Sequence, residues 1–320
     1  MSMKWRRKNV CSKECKWTLL ICAPICIHCA VLWANKEFDP LPTPAWPLLE
    51  ENLNYRNIVS KTQKHFLNGI YGLESLASQN GSNFVYASSK NGQIVKLLIA
   101  ENFKPVVIDL FNYGSQKIKK RPLGLRFSPF SPELLYFVDA YQGIFVLDTV
   151  KKTTSAIYTN ESMPYLNDFD FLWNGDLVLS QPSVKYSDEM FHRIVFESRP
   201  NGQILRFSEK NKTFEVLLDQ LFTPNGIQAT PDRRSFYFSE MMAYRIQKVD
   251  FADNGVETKV VVDNLPGMPD NIRLSINEQL LIIPLPEERL ELPLNHPIMK
   301  HHVLFASFIF IQKMTKYLDL

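Results

Sequence analysis

Four oxygen-bearing side chains recur at the opening of a repeated sequence unit. They stand at the same phase of successive units, as Glu74, Asn167, Asn225 and Asp270. If these phases are structurally equivalent, the four side chains converge on one axis. Two carboxylates and two amide oxygens are the hard ligands that Ca²⁺ takes, with water completing about 6–8 positions. The pattern therefore predicts a calcium site, where a bound ion could polarise an ester or lactone carbonyl.

Each of these residues also has a simpler interpretation when taken alone. Asn225 precedes Gly226, and Asn-Gly pairs usually form turns. The side chain of Asn167 could bond its own loop backbone, Asp270 could cap a turn, and Glu74 could be a solvated charge. Only the shared phase of the four residues favours metal binding.

The repeated unit consists of four short phrases, each rich in β-branched or aromatic residues and closed by turn residues, as strands are. The opening phrases span residues 72–77, 122–128, 166–172, 224–230 and 269–275, and each of the first four is followed by three further phrases. Four strands per unit of this length make one propeller blade. The sequence therefore predicts an all-β propeller with four full blades and the start of a fifth.

The fifth blade breaks down after its first phrases. The following stretch, EQLLIIPLPEERLELPLNHP, is interrupted by prolines and predicts a loop after one strand. We therefore predict a propeller over residues 65–290, truncated in or after the fifth blade, and an atypical tail over residues 291–320. An open ring and a ring completed by dimerisation are the alternatives.

The N-terminal segment has the pattern of a membrane anchor. Trp17 to Trp33 is a run of 17 uncharged residues, with a basic segment over residues 1–16 before it. The positive-inside rule keeps that basic tail cytoplasmic, so we predict a signal-anchor over 17–33, a stalk over 34–64 and a type II protein. The propeller then faces the lumen of the endoplasmic reticulum or the cell exterior. A cleaved signal peptide is the alternative.

Cysteines and sequons are both consistent with this topology. All five cysteines lie within the first 29 residues, where a zinc site, acylation or no specific role are the possible interpretations. The folded body therefore has no disulfide. Asn-x-Ser/Thr sequons at Asn80, Asn160 and Asn211 would be available for glycosylation in the lumen.

The charge distribution excludes one class of partner. The net charge of +3 arises from the first 16 residues, and the remainder is close to neutral. Nucleic-acid-binding domains carry a basic stripe on the folded part. We therefore expect no nucleic-acid partner.

Several phrases in order resemble the strictosidine-synthase-like family, notably PLGLRFSP, YLNDFDF, VKYSDEMFHRIVFESRPNGQILRF, LFTPNGIQATPD and VVDNLPGMPDNIRLS. The resemblance covers about residues 65–290 and is closest to animal members with a short cytoplasmic tail and a single anchor. It implies a six-bladed-type propeller. The wider superfamily, with paraoxonases and gluconolactonases, contains calcium-dependent hydrolases whose ion lies at the top of the central channel.

The resemblance implies a ligand set and a reaction class. The matching positions are Glu74, Asn167, Asn225 and Asp270, to which Asn271 could add. The implied function is calcium-dependent hydrolysis of a small ester or lactone, and the alternative is a non-catalytic binding module with a structural calcium ion. Tyr186 and His192, in the segment 182–199 that could overhang the channel, are candidate contacts to a substrate. No histidine aligns with the paraoxonase general base, so the catalytic residues are unknown.

Overall fold

A computed structural model describes residues 26–33, 36–42, 47, 64–79, 81–101, 103–160, 162–253, 255–275, 277–289 and 301. The described residues fall into two compact units. The larger unit lies within residues 45–195 and 199–291, and the smaller one within residues 1–44, 196–198 and 292–320.

The larger unit contains four successive four-stranded antiparallel sheets. Blade 1 consists of β1 (Leu76–Ser78), β2 (Phe84–Ser89), β3 (Gln93–Ile99) and β4 (Pro105–Phe111), and blade 2 of β5 (Pro122–Phe127), β6 (Leu134–Asp139), β7 (Gly143–Asp148) and β8 (Thr153–Tyr158). Blade 3 consists of β9 (Phe169–Phe171), β10 (Leu177–Gln181), β11 (Gly202–Ser208) and β12 (Thr213–Leu221), and blade 4 of β13 (Pro224–Ala229), β14 (Ser235–Glu240), β15 (Arg245–Ala252) and β16 (Gly255–Val262). Each strand pairs with the next along the chain, so each sheet is a meander. The predicted all-β propeller architecture is confirmed, with four complete blades.

The fifth unit is reduced to short pairs. Strand β17 (Gly267–Met268) pairs with β20 (Glu287–Glu288), and β18 (Arg273–Leu274) pairs with β19 (Leu281–Ile282). The sequence predicted one strand and then a loop after the opening phrase. Instead, two residues of that proline-broken stretch return to pair with β17.

The apolar core lies between the faces of successive blades. Phe137 and Phe145 of blade 2 pack against Tyr113, with ring centroids 4.7 and 5.0 Å from it. Phe169 of blade 3 and Ile227 of blade 4 occupy the next two interfaces, and both are fully buried. Apolar residues thus cover both faces of blades 2 and 3, because each of these sheets is packed on two sides.

The first strands of the blades surround the channel and approach one another closely. Strands β5 and β13 carry the same irregularity, a register shift between Pro122 and Leu125 and between Pro224 and Ile227. A bulge of this kind turns a side chain out of the regular alternation. Each bulge contains a glycine, and a Cβ on Gly226 would lie 2.4 Å from the nitrogen of Ile272.

A short helical segment interrupts blade 3 between β10 and β11. It consists of a 3₁₀ turn, Asp188–Met190, followed by an α-helix, Phe191–Glu197. The sequence predicted this segment only as a rim loop, because seven residues are too few for a clear helical period.

The N-terminal predictions lie mostly outside the described residues. The basic tail, residues 17–25 of the predicted anchor, most of the stalk and residues 291–300 and 302–320 of the tail are not described, whereas residues 26–33 are helical. Within the described part of the chain, no helix combines the length and apolar character that crossing a bilayer needs.

Removing a ring from the interface of blades 1 and 2 should destabilise the fold strongly. We expect Phe137→Ala to lower the free energy of unfolding by about 3–5 kcal/mol, because it leaves a cavity in a close-packed aromatic cluster. Val106→Ala, at an exposed position of β4, is the matched control and should change it by less than about 0.5 kcal/mol. Urea unfolding followed by tryptophan fluorescence measures both. Equal effects of the two substitutions would contradict the proposed core.

Candidate metal centre

The five predicted ligand residues lie at the same end of the inner strands. Glu74 precedes β1, Asn167 precedes β9, and Asn225 is the second residue of β13. Asp270 and Asn271 lie between β17 and β18. We call these five residues the oxygen cluster.

Four oxygen atoms of the cluster are buried without a hydrogen-bond partner among the described residues. They are Oε2 of Glu74 and the Oδ1 atoms of Asn167, Asn225 and Asn271. Most buried polar atoms in folded proteins are hydrogen-bonded, and an unpaired one costs about 1–3 kcal/mol. Four such atoms at one end of the channel are a donor set that lacks an electropositive partner.

Side-chain contacts join the cluster across the channel. The Nδ2 of Asn271 donates to Oε1 of Glu74 at 2.9 Å and to its carbonyl oxygen at 3.2 Å. The Nδ2 of Asn225 lies 3.2 Å from Sδ of Met241. In both asparagines the amide nitrogen is therefore engaged and the oxygen remains available.

The electrostatics of the cluster favour a cation. Burial, together with the nearby carboxylates of Asp270 and Asp168, raises the pKa of Glu74 to about 8. The pKa of Asp270 is raised as well, chiefly by burial. Two carboxyl groups that resist ionisation together need either a proton or a positive ion between them.

A repeated serine on the second strand of the blade positions the cluster backbone. Ser88, Ser180 and Ser239 are fully buried. Each accepts a hydrogen bond from the backbone nitrogen that follows a cluster residue, at 3.0, 3.0 and 2.7 Å. The hydroxyl groups of Ser180 and Ser239 also donate to the carbonyl oxygens of Asn225 and Asp270, which belong to the next blade. Each of these two serines thus couples successive ligand positions.

These serines were missed in the sequence, although a signal was present. They occupy the same place in the second phrase of blades 1, 3 and 4, where VYASS, LVLSQ and YFSE each carry a serine. Blade 2 has Val138 there and Leu123 in place of the cluster residue, and both are buried. The ligand and its serine are therefore absent together from blade 2.

The two predicted substrate contacts lie in different environments. Tyr186 is buried and packs with Leu123, Tyr165 and Ile194 above the cluster. His192 is exposed on the short helix, and burial together with Arg193 lowers its pKa. Tyr186 therefore belongs to the wall of the site, whereas His192 lies on the surface.

Tyr165 is a site residue that the sequence did not indicate. It is buried, and its pKa is raised by burial and by the charges of Asp188 and Glu74. Its hydroxyl group therefore keeps its proton and can donate a hydrogen bond beside the cluster.

The donor set fits a hard cation. Within the described ranges no three His, Cys, Asp or Glu side chains form a metal-binding group. The cluster instead combines two carboxylates with three amides. Calcium accepts amide and carboxylate oxygens together with water, whereas zinc prefers nitrogen and sulfur.

The comparisons with known proteins agree with this architecture. Residues 167–254 match the sequence model of the strictosidine synthase family. These residues carry a strictosidine-synthase-family domain. It is 30% identical over 253 residues to the adipocyte plasma membrane-associated protein of Bos taurus, covering 74% of this chain and 59% of that protein. It is 28% identical over 271 residues to the protein strictosidine synthase-like 13 of Arabidopsis thaliana, covering 77% and 66%.

A solved structure supports the propeller fold. The luciferin-regenerating enzyme aligns with a TM-score of 0.50 and 14% identity, over 68% of this chain and 70% of that chain. The chain spans about three fifths of the length of the Bos taurus relative.

Two of the three predicted glycosylation sites lie among the described residues of the propeller. Asn160 and Asn211 are both exposed. Asn80 lies outside the described residues. Glycosylation at all three remains a prediction.

Loss of one repeated serine should destabilise the cluster without changing the apolar core. In Ser239→Ala the nitrogen of Gly226 and the carbonyl oxygen of Asp270 lose a buried partner, so we expect a loss of about 2–4 kcal/mol in the free energy of unfolding. Ser155→Ala, at an exposed position of β8, is the control and should be nearly neutral. Thermal unfolding of the two variants tests this. A neutral Ser239→Ala would refute the positioning role.

Proposed function

We propose that this chain is a membrane-anchored, calcium-dependent hydrolase of the arylesterase or lactonase type. The observation that carries the proposal is the set of buried, unpartnered oxygens on Glu74, Asn167, Asn225 and Asn271. The family membership supports it, and so does a position at the mouth of a channel, where small-molecule sites are common. The anchor and the lumenal orientation rest on the sequence pattern of residues 1–33.

The side chains around the cluster have separable roles in this proposal. Glu74, Asn167, Asn225, Asp270 and Asn271 would hold the ion. A bound calcium ion would polarise the substrate carbonyl and stabilise the negative charge that develops on its oxygen.

The wall above the cluster suits an apolar substrate. Leu123, Ile194 and the rings of Tyr165 and Tyr186 would contact the apolar part of a small ester or lactone and exclude water from it. The hydroxyl group of Tyr165, beside Asn167, would donate a hydrogen bond to the substrate oxygen.

One observation favours a second function, a binding module with a structural calcium ion. His65 and His192, the histidines described within the propeller unit, are both exposed. Neither therefore supplies the cluster with the general base that histidine usually provides in such hydrolases. The first function requires a general base other than these two histidines, and the second function requires none.

Calcium affinity should depend on the amide oxygen at position 225. We expect Asn225→Ala to weaken calcium binding about tenfold or more, whereas Asn225→Asp, which keeps an oxygen, should retain it. Asn225→Asp should also widen the difference in melting temperature between calcium and chelator, because a third carboxylate joins Glu74 and Asp270 in the ion-free protein.

Titration calorimetry of the purified full chain in detergent measures the affinities. Asn83→Ala, at an exposed position of the first blade, is the matched control. Equal calcium affinity in Asn225→Ala and the control would remove Asn225 from the site. Equal loss of stability in both Asn225 variants, independent of calcium, would indicate a packing role only.

The two functions differ in the result of an ester assay. The hydrolase proposal predicts calcium-dependent hydrolysis of phenyl acetate or an aromatic lactone by the full chain, lost on chelation and reduced to background in Asn225→Ala. Asn83→Ala should retain it, which also controls for contaminating esterases. A protein that binds calcium and stays folded but hydrolyses neither substrate would favour the binding module.

A further inference from the structure

A cavity of about 570 Å³ opens at the end of the channel opposite the oxygen cluster. It lies where the inner strands β1, β5, β13 and β18 end. Its charged lining residues are Arg126, Asp170, Arg233, Arg273 and Glu278. We call it the lower cavity. Its size is typical of sites for small organic ligands, about 300–1,000 Å³.

The carboxylates at this end are already satisfied. Asp168 accepts from Nη1 of Arg273 at 2.7 Å and from the backbone nitrogen of Ile227 at 2.9 Å. Asp170 accepts from Nη1 of Arg233 at 3.2 Å and from the backbone nitrogen of Ala229 at 2.8 Å. Both are almost completely buried. They therefore have little capacity to bind a further cation.

The arginines at this end, in contrast, outnumber the carboxylates with which they pair. Three guanidinium groups, of Arg126, Arg233 and Arg273, pair with only two carboxylates, those of Asp168 and Asp170. Burial lowers the pKa of Arg126, and the like charges of Arg273 and Arg233 lower it further. A bound anion would lower the mutual repulsion of these three positive charges.

Arg233 offers the free donors. Its Nη1 bonds Asp170 and the carbonyl oxygen of Phe171, whereas its Nε and Nη2 bond no group in the described part of the chain. The side chain is 29% exposed and borders the lower cavity. Nε and one terminal nitrogen of a guanidinium form the fork that binds a carboxylate with two parallel hydrogen bonds.

Other acidic groups near the lower cavity do not occupy this fork. Glu278 is exposed at the lip. Asp232 accepts from the Thr230 hydroxyl and the backbone nitrogen of Arg234. Gln228 uses its Oε1 for Leu274 and Arg126.

We propose that the lower cavity binds a small organic carboxylate through Arg233, with Arg273 and Arg126 supplying the surrounding positive charge. The site is distinct from the oxygen cluster, at the other end of the same channel. It does not depend on the proposed hydrolase activity.

Binding of succinate to the full chain tests the proposal. Titration calorimetry, in a fixed excess of sodium chloride and in the presence of calcium, should give saturable binding with one site per chain. Arg233→Gln should weaken the affinity by about 10- to 100-fold, the usual effect of losing a charge-assisted hydrogen-bonded pair. Arg234→Gln is the matched control, because this neighbouring arginine is exposed and does not line the lower cavity.

A third variant keeps the test decisive if Arg233→Gln does not fold. Glu278→Gln removes the exposed carboxylate at the lip and should tighten succinate binding, whereas Arg234→Gln should not. Absence of saturable binding to the wild-type chain would overturn the proposal. So would equal affinity in Arg233→Gln and Arg234→Gln, or, where Arg233→Gln does not fold, unchanged affinity in Glu278→Gln.

Discussion

The ion pairs and the hydrogen bond of the Asp168 carboxylate are the interactions on which the channel depends. It is fully buried, and it pairs with Arg126 of blade 2 and Arg273 of the fifth unit while accepting the backbone nitrogen of Ile227 in blade 4. One side chain thus links blades 2, 3 and 4 and the fifth unit. Removing one partner of such a buried pair typically costs about 3–5 kcal/mol, because the other charge is left uncompensated. The close approach has a steric condition as well, since a Cβ on Gly124 would lie 2.4 Å from Oδ1 of Asp168.

The blades linked by Asp168 carry the oxygen cluster. The chemistry of the cluster follows from the fixed positions of its backbone segments. Glu74 and Asp270 repel each other, and in a mobile loop they would separate. Here Ser239 fixes the backbone on either side of the contact between blade 4 and the fifth unit, and Gly226 permits that contact. The carboxyl groups therefore remain together at an electrostatic cost. A site held in this way is preorganised for a cation, because binding removes repulsion without rearranging the backbone.

The sequence predicted the blades, and it predicted that the residues of the oxygen cluster lie together, because both depend on local patterns. Strand phrases are short and closed by turns, and the residues of the cluster recur at one phase of the repeat, so the shared position of Asn225 and Asp270 could be predicted without coordinates. The network of ion pairs could not be predicted from the sequence, because Arg273 and Asp168 are 105 residues apart and nothing in either local phrase specifies the other. The serines were accessible in principle. Their recurrence gave no prediction, because a serine in a strand normally indicates a solvent-facing position. Ser180, in contrast, is buried between the backbones of Asp168 and Asn225.

The channel is electrically polar along its length, and this polarity follows from which residue types occupy the two ends of the inner strands. The end where the strands begin carries carboxylates and amide oxygens, and the end where they finish carries arginines. Asp168 lies between them and acts on both, since it lowers the tendency of Glu74 to ionise and pairs with Arg273. Blade 2 shows that the scaffold does not require polar residues at these positions, because Leu123 and Val138 replace an oxygen-cluster residue and its serine while the same bulge is kept. The fold therefore places residues around the axis of the channel, and the residue types at those positions determine the charge at each end of the channel.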